Sequence, residues 1–186
     1  MESNNFILFN EFSGTWRKFL YISHFEIKNS IAYCEDVNHS LIYWEAFQHF
    51  FNVKVEPKQF LKATKKMIKE WDREPTSDYQ YDLFKKYVKH TPTKTHEIVY
   101  SIIDKEGSHV HTYGRTKGLY PKVRDVLVNN LVGIDLGNSR NFKSANELIK
   151  KVKILADSKV IVGSPCSWTR LAEYFDTAPI YIADHY

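Results

Sequence analysis

Residues 144–182 hold a helix, a strand, a turn of small residues, a second helix and a second strand in close succession, and this run constrains the fold more than any other part of the chain. Ser144 and Glu147 have the spacing of a capping box, in which the hydroxyl accepts from an amide three residues on and the carboxylate reaches back. Ala145, Leu148, Ile149, Val152, Leu155 and Ala156 follow at helical intervals, so a helix is expected over 144–156. The apolar run 159–162 then reads as a buried strand, Gly163-Ser164-Pro165-Cys166-Ser167 as a tight turn, 168–175 as a helix and 179–182 as a strand. Strands that alternate with helices imply a largely parallel sheet.

The alternation extends upstream. Residues 98–103 are β-branched and apolar, 104–108 have turn chemistry, 121–128 have helical spacing, and 131–136 read as another buried strand ended by Gly137-Asn138. The expected fold class is therefore α/β and Rossmann-like, with a largely parallel sheet in the C-terminal half and a smaller, helix-rich N-terminal half. Residues 89–95, polar and containing Pro92, are the best linker, which divides the chain into 1–92 and 93–186.

The N-terminal half is less regular. A strand is expected over 6–9, a turn over 10–14, and 15–33 is ambiguous between helix and strand. Leu41, Trp44, Phe47 and Phe51 share one face of a helix over 40–51. Pro57 suits the first position of a helix running to Trp71, because its missing amide proton would be unpaired there. Phe60, Leu61, Met67, Ile68 and Trp71 would then face the core, opposite a stripe of Lys58, Lys62, Lys65, Lys66 and Lys69. Such a stripe is either a solvated face or a surface for a phosphate backbone. A break over 74–78 and a helix over 81–88 complete this half.

At 186 residues, the chain has room for one core or two small lobes. Its apolar runs are shorter than the ~18 residues a membrane span needs, the N-terminus lacks signal-peptide character, and Cys34 and Cys166 are the only cysteines. These features lead us to expect a reduced, cytoplasmic protein. The net charge of +4 is compatible with anionic ligands, and twelve Tyr and twelve Phe supply rings for the core edge or for stacking on bases.

In open α/β sheets ligands sit beyond the carboxyl ends of the strands, so the turn at Gly163–Ser167 is the first candidate site. A helix start there would offer amide protons and the positive end of the macrodipole to a phosphate, near Gly163, Ser164, Cys166 and Ser167. The plain alternative is a tight turn with Ser167 as N-cap. Arg170, one helical turn on, is placed either to grip the same anion or to form a surface ion pair. Cys166 is a small buried side chain or a thiolate at a helix start. The second constellation is His109-Val110-His111 with Gly114-Arg115-Thr116-Lys117-Gly118, where Arg115 and Lys117 are candidates for holding a diphosphate. His109 and His111 lack a third metal ligand at diagnostic spacing, so no metal and no cofactor is expected. Phosphate-loop, dinucleotide, nucleophile-elbow and zinc motifs are absent from the sequence.

Taken together, Ser144-Ala145-Asn146-Glu147, Leu155-Ala156-Asp157, Val160-Ile161-Val162-Gly163-Ser164, Leu171-Ala172 and Thr177-Ala178-Pro179-Ile180 make residues 97–186 resemble the C-terminal Rossmann-like domain of GT-B glycosyltransferases, in particular the heptosyltransferase-like enzymes. Pro165 stands where that loop often has an acidic residue, and Arg170 where a histidine is common. The resemblance implies a nucleotide-diphospho-sugar donor held by Gly163, Ser164, Cys166 and Ser167, with Arg115 and Lys117 on the diphosphate. The acceptor, a glycan or a modified nucleic acid, would fall to the N-terminal half, with His24, Glu11 or Asp36 as the base. A non-catalytic nucleotide- or partner-binding module and a nucleic-acid-directed protein remain as alternatives, and a homodimer would supply a missing lobe.

Overall fold

In the computed structural model, the described residues are 5–8, 30–52, 56–70, 79–101, 125–126, 129–130, 132–137, 142–163 and 166–181. The protein is α/β, and among the described residues every strand pairing in the two sheets is parallel. It divides into two compact units, Met1–Thr91 with Arg140–Lys150, and Pro92–Ser139 with Lys151–Tyr186.

The first unit is built on strands β1 (Phe6–Leu8), β2 (Ile31–Cys34) and β3 (Gln59–Lys62), side by side in chain order. Helix α1 (Val37–Phe50) covers one face of this sheet, with Trp44 stacked on Phe6 at 5.9 Å and meeting Phe60 edge-on at 5.8 Å. Helix α2 (Lys65–Glu70) turns Met67 and Ile68 toward Ile7, Tyr33 and Ala63. These two sets alternate along β1, as the period of two along a strand requires. Helix α3 (Tyr79–Tyr87) follows, and Phe84 meets Phe51 edge-on at 5.3 Å.

This arrangement corrects the expected helix from Pro57 to Trp71. Gln59–Lys62 is a strand on the edge of the sheet, and the helix begins only at Lys65, where Thr64 Oγ1 accepts from Met67 N at 3.2 Å. Pairing with β2 satisfies the backbone of 59–62 and outweighs the local helical preference of a lysine-rich run. The five lysines therefore do not form a single helical stripe. Lys58 precedes and Lys62 ends a strand that lies at the edge among the described residues, where lysine discourages further strand pairing, and Lys66 pairs with Glu70 at 3.8 Å. Helix α1 likewise starts earlier than expected, with Asp36 as its cap, and Leu41 lies on its exposed side.

The second unit contains β4 (His96–Ser101), β5 (Ile134–Asp135), β6 (Ser158–Gly163) and β7 (Ala178–Tyr181), in spatial order β5-β4-β6-β7. Helix α4 (Ala145–Ala156) precedes β6, and α5 (Ser167–Tyr174) joins β6 to β7. The capping box of α4 is formed: Ser144 Oγ accepts from Glu147 N at 3.2 Å, and Glu147 Oε2 accepts from Lys143 N at 3.0 Å. The expected buried strand over 131–136 is instead the two-residue edge strand β5. Val132 is 98% exposed, and among the described residues of this stretch only Leu136 is buried.

Residues 92–95, expected to be linker, are fastened to the amino edge of the second sheet. Lys94, in the left-handed region at φ 53°, donates from Nζ to Phe175 O (2.7 Å), Thr177 Oγ1 (2.9 Å), Ala156 O and Ser158 O (both 3.0 Å). Ala156 closes α4, and Phe175 is the C-cap of α5, so one ammonium serves carbonyls at the negative ends of two helices. Beside it, Thr93 N donates to Asp157 Oδ1 at 2.9 Å and His96 N to Asp157 O at 3.0 Å. Among the described residues, no helix is long and apolar enough to cross a membrane.

Candidate functional site

The order β5-β4-β6-β7 contains a reversal. The chain leaves β4 toward β5 on one side and leaves β6 toward β7 on the other, so the switch point lies between β4 and β6. Ligands of open α/β sheets bind outside the carboxyl ends of the strands at such a reversal. The residues that end the two strands, Ser101 and Gly163, are register partners, and Tyr181 lies beside Gly163 on β7.

Gly163 is demanded by this junction. A Cβ there would sit well inside van der Waals contact of Ser101 O, a backbone atom that cannot swing away. Ser101 Oγ in turn donates to Gly137 O at 3.0 Å, and Trp168 Nε1 donates to the same carbonyl at 3.1 Å. Gly137 has φ 65°, where a side chain would be strained, and its amide donates to Asp135 Oδ1 at 2.8 Å. Leu136 N donates to Tyr100 O at 2.9 Å. The turn after β5, the end of β4 and the first turn of α5 are thus bound to one another, and Trp168, fully buried, locks the helix start into this rim.

The N-cap of α5 is Cys166 rather than the expected Ser167, which is the first helical residue and is buried. Thr169 Oγ1 accepts from Cys166 N and donates to Cys166 O, both at 2.9 Å. Threonine at N3 thus takes the place that Glu or Gln holds in the usual capping box. The Cys166 side chain is 4% exposed, the position of a packing residue more than of an attacking thiol. Arg170 is exposed and its amide bonds Cys166 O at 3.1 Å, one turn from the helix start. Tyr181 OH donates to Glu173 Oε1 at 2.6 Å; burial first, and then the Glu173 carboxylate, push the phenol up to about 12, so it is a neutral donor at physiological pH.

Of the residues expected to bind the nucleotide, the structure brings Gly163, Cys166, Ser167 and Arg170 to the carboxyl edge of the second sheet. Ser164, Arg115 and Lys117 lie outside the described residues, as do His109, His111 and the 104–108 turn. Of the candidate bases, His24 and Glu11 also lie outside them. Asp36 is the N-cap of α1 in the first unit, where its Oδ1 accepts from His39 N at 3.2 Å and its Oδ2 lies 3.3 Å from His39 Nδ1. The hydrogen bond from the His39 amide holds the carboxyl below its usual range, which makes Asp36 a weaker proton acceptor than an ordinary carboxylate. Cys34, buried at the end of β2, has its thiol pushed up by burial.

Sequence reasoning missed Ser101, Asp135, Gly137 and Trp168 as parts of the rim. The local signal was Asp135-Leu136-Gly137, since aspartate two residues before a glycine is the chemistry of an Asx turn. No protein-family model matches the chain, and comparison with curated proteins and with solved structures finds no match.

Proposed function

We propose that the carboxyl edge of the second sheet binds a nucleoside diphosphate, and that the protein is a glycosyltransferase using a nucleotide-diphospho-sugar as donor. The observation that supports this reading is the switch point at Ser101 and Gly163, braced through Gly137 to the start of α5. A phosphate outside it meets the amino end of a helix, whose dipole and amides favour an anion. Arg170, exposed one turn on, adds a positive charge, and Arg115 and Lys117 are the candidates for the remainder. Neutralising the leaving diphosphate is the electrostatic task such a transfer requires.

A thermal-shift screen against UDP, GDP, ADP and CDP tests the binding step, because a ligand held only by the folded state raises the melting temperature. Stabilisation by one of them, reduced in Arg170→Ala, is expected; absence of stabilisation by all four overturns the reading. Release of the nucleoside diphosphate from its sugar conjugate then tests transfer. The capping role of Asp36 favours a second reading, a non-catalytic nucleotide-binding module, which requires binding without any turnover of the donor.

A further inference from the structure

We propose that the lysines at the end of β3 and along α2 form a surface that binds the phosphate backbone of a nucleic acid duplex. The surface belongs to the first unit, so it does not depend on the nucleotide reading of the second.

Residues 58–70 hold five lysines and one acid, Glu70, a local excess equal to the net charge of +4 of the whole chain. Because β3 ends at Lys62 and α2 begins at Lys65, four of these lysines, Lys62, Lys65, Lys66 and Lys69, gather at one turn and the short helix that follows it. Lys65 and Lys69 are one helical turn apart and share a face, with Cβ atoms about 5–6 Å apart. The backbone that carries them is fixed. Ala63 N donates to Cys34 O at 2.7 Å, and Thr64 accepts from Met67 N through its hydroxyl at 3.2 Å and from Ile68 N through its carbonyl at 3.1 Å.

All four lysines are exposed. Among the described residues Lys62, Lys65 and Lys69 make no ion pair, and the contact of Lys66 with Glu70 at 3.8 Å joins two side chains that are both more than half exposed, a pair worth little in water. Like charges held this close repel one another, and a polyanion relieves that repulsion. A duplex carries one phosphate charge per about 1.7 Å of its axis, so phosphates outnumber lysines along so short a segment.

The neighbouring side chains decide which polyanion fits. Met67 and Ile68 turn to Ile7, Tyr33 and Ala63, so α2 has no apolar face to lay into an anionic bilayer. Leu61, 40% exposed, is the one large apolar side chain exposed over 58–70, whereas protein interfaces are built round apolar and aromatic anchors and are poor in lysine. A surface of lysines alone matches phosphates, which position a duplex without reading its sequence.

The test is fluorescence anisotropy of the full chain with a labelled DNA duplex of about 20 base pairs and with an RNA duplex of the same sequence, over about 50 to 200 mM salt. The proposal expects binding of one or both duplexes. Four phosphate contacts make log K fall against log salt with a slope of about −3 to −4, a loss of about a hundredfold over this range. Lys65→Ala/Lys69→Ala flattens that slope by about two, whereas Lys65→Arg/Lys69→Arg keeps it. The charge-matched pair Lys143→Ala/Lys150→Ala, exposed residues outside this surface, also keeps it, and melting temperatures check that every variant folds. Absence of binding to both duplexes at the lowest salt overturns the proposal. So does a slope that the two alanine pairs flatten equally, or binding to phosphatidylserine vesicles and to neither duplex.

Discussion

The two sheets formed by the described residues are alike in being parallel, yet they differ where a ligand would meet them. In the first, β1, β2 and β3 lie in chain order, and β2 ends at Cys34, a buried side chain beside a helix capped by Asp36. In the second the order reverses between β4 and β6, and those strands end at Ser101 and Gly163, where a glycine replaces any side chain. Parallel strands alone do not make a site. A reversal is where ligands of open α/β sheets bind, and here a glycine lets the two strand ends approach closely.

The largest expected effect concerns the anchor of the second unit. Lys94→Met leaves carbonyls of Ala156, Ser158 and Phe175 and the Thr177 hydroxyl without their ammonium donor. Hydrogen bonds from a charged donor and the cost of stranded acceptors give a loss of about 3–4 kcal/mol, read as a lowered urea midpoint. A loss below about 1 kcal/mol would mean that the amino edge is held by other contacts.

Gly163→Ala comes next and contrasts most sharply with the first sheet. Its new Cβ meets the Ser101 carbonyl, so β4 and β6 must part, at an expected cost of about 2–3 kcal/mol. The counterpart at the end of β2, Cys34→Ala, removes one buried sulfur and costs about 1–2 kcal/mol. If the two substitutions cost the same, the close approach at the switch point is not what selects glycine. Ser101→Ala, which deletes one of the two donors to Gly137 O, should cost about 1 kcal/mol by the same assay.

The smallest effect belongs to the first unit and depends on pH. Asp36→Ala removes an N-cap worth about 1 kcal/mol or less for so exposed a residue. Because the folded-state pKa of Asp36 is depressed, its contribution is fully present above the unfolded value of about 3.9 and is lost as pH falls through the folded value. The gap in melting temperature between wild type and Asp36→Ala should therefore be full above about pH 4 and close as the pH is lowered from there. A gap that stays constant as the pH is lowered would show that the charge of Asp36 takes no part in the cap.

What the sequence made legible follows from how local the cause is. The helix at Ala145–Ala156 was readable because its cap and apolar stripe lie within thirteen residues, and β6, α5 and β7 follow from short apolar runs separated by a small-residue turn. Strand β3 was not readable. Its four residues sit in a lysine-rich run with helical spacing, and only β2, reaching it from 28 residues earlier in the chain, makes it a strand. Lys94 was hidden for the same reason, since its acceptors lie 62 to 83 residues away. Gly163 was found, but for half of its reason: the sequence suggested room for a ligand, and the structure adds the neighbouring carbonyl of Ser101.

The most direct test of the central claim is an amide nitrogen–proton NMR titration with ADP and with UDP. Binding at the reversal of the second sheet predicts the largest shifts at Ser101, Gly137, Gly163 and Trp168, with the resonances of Cys34, Asp36 and His39 unmoved. Shifts centred on those three residues of the first unit, or no shifts with either nucleotide, would contradict it.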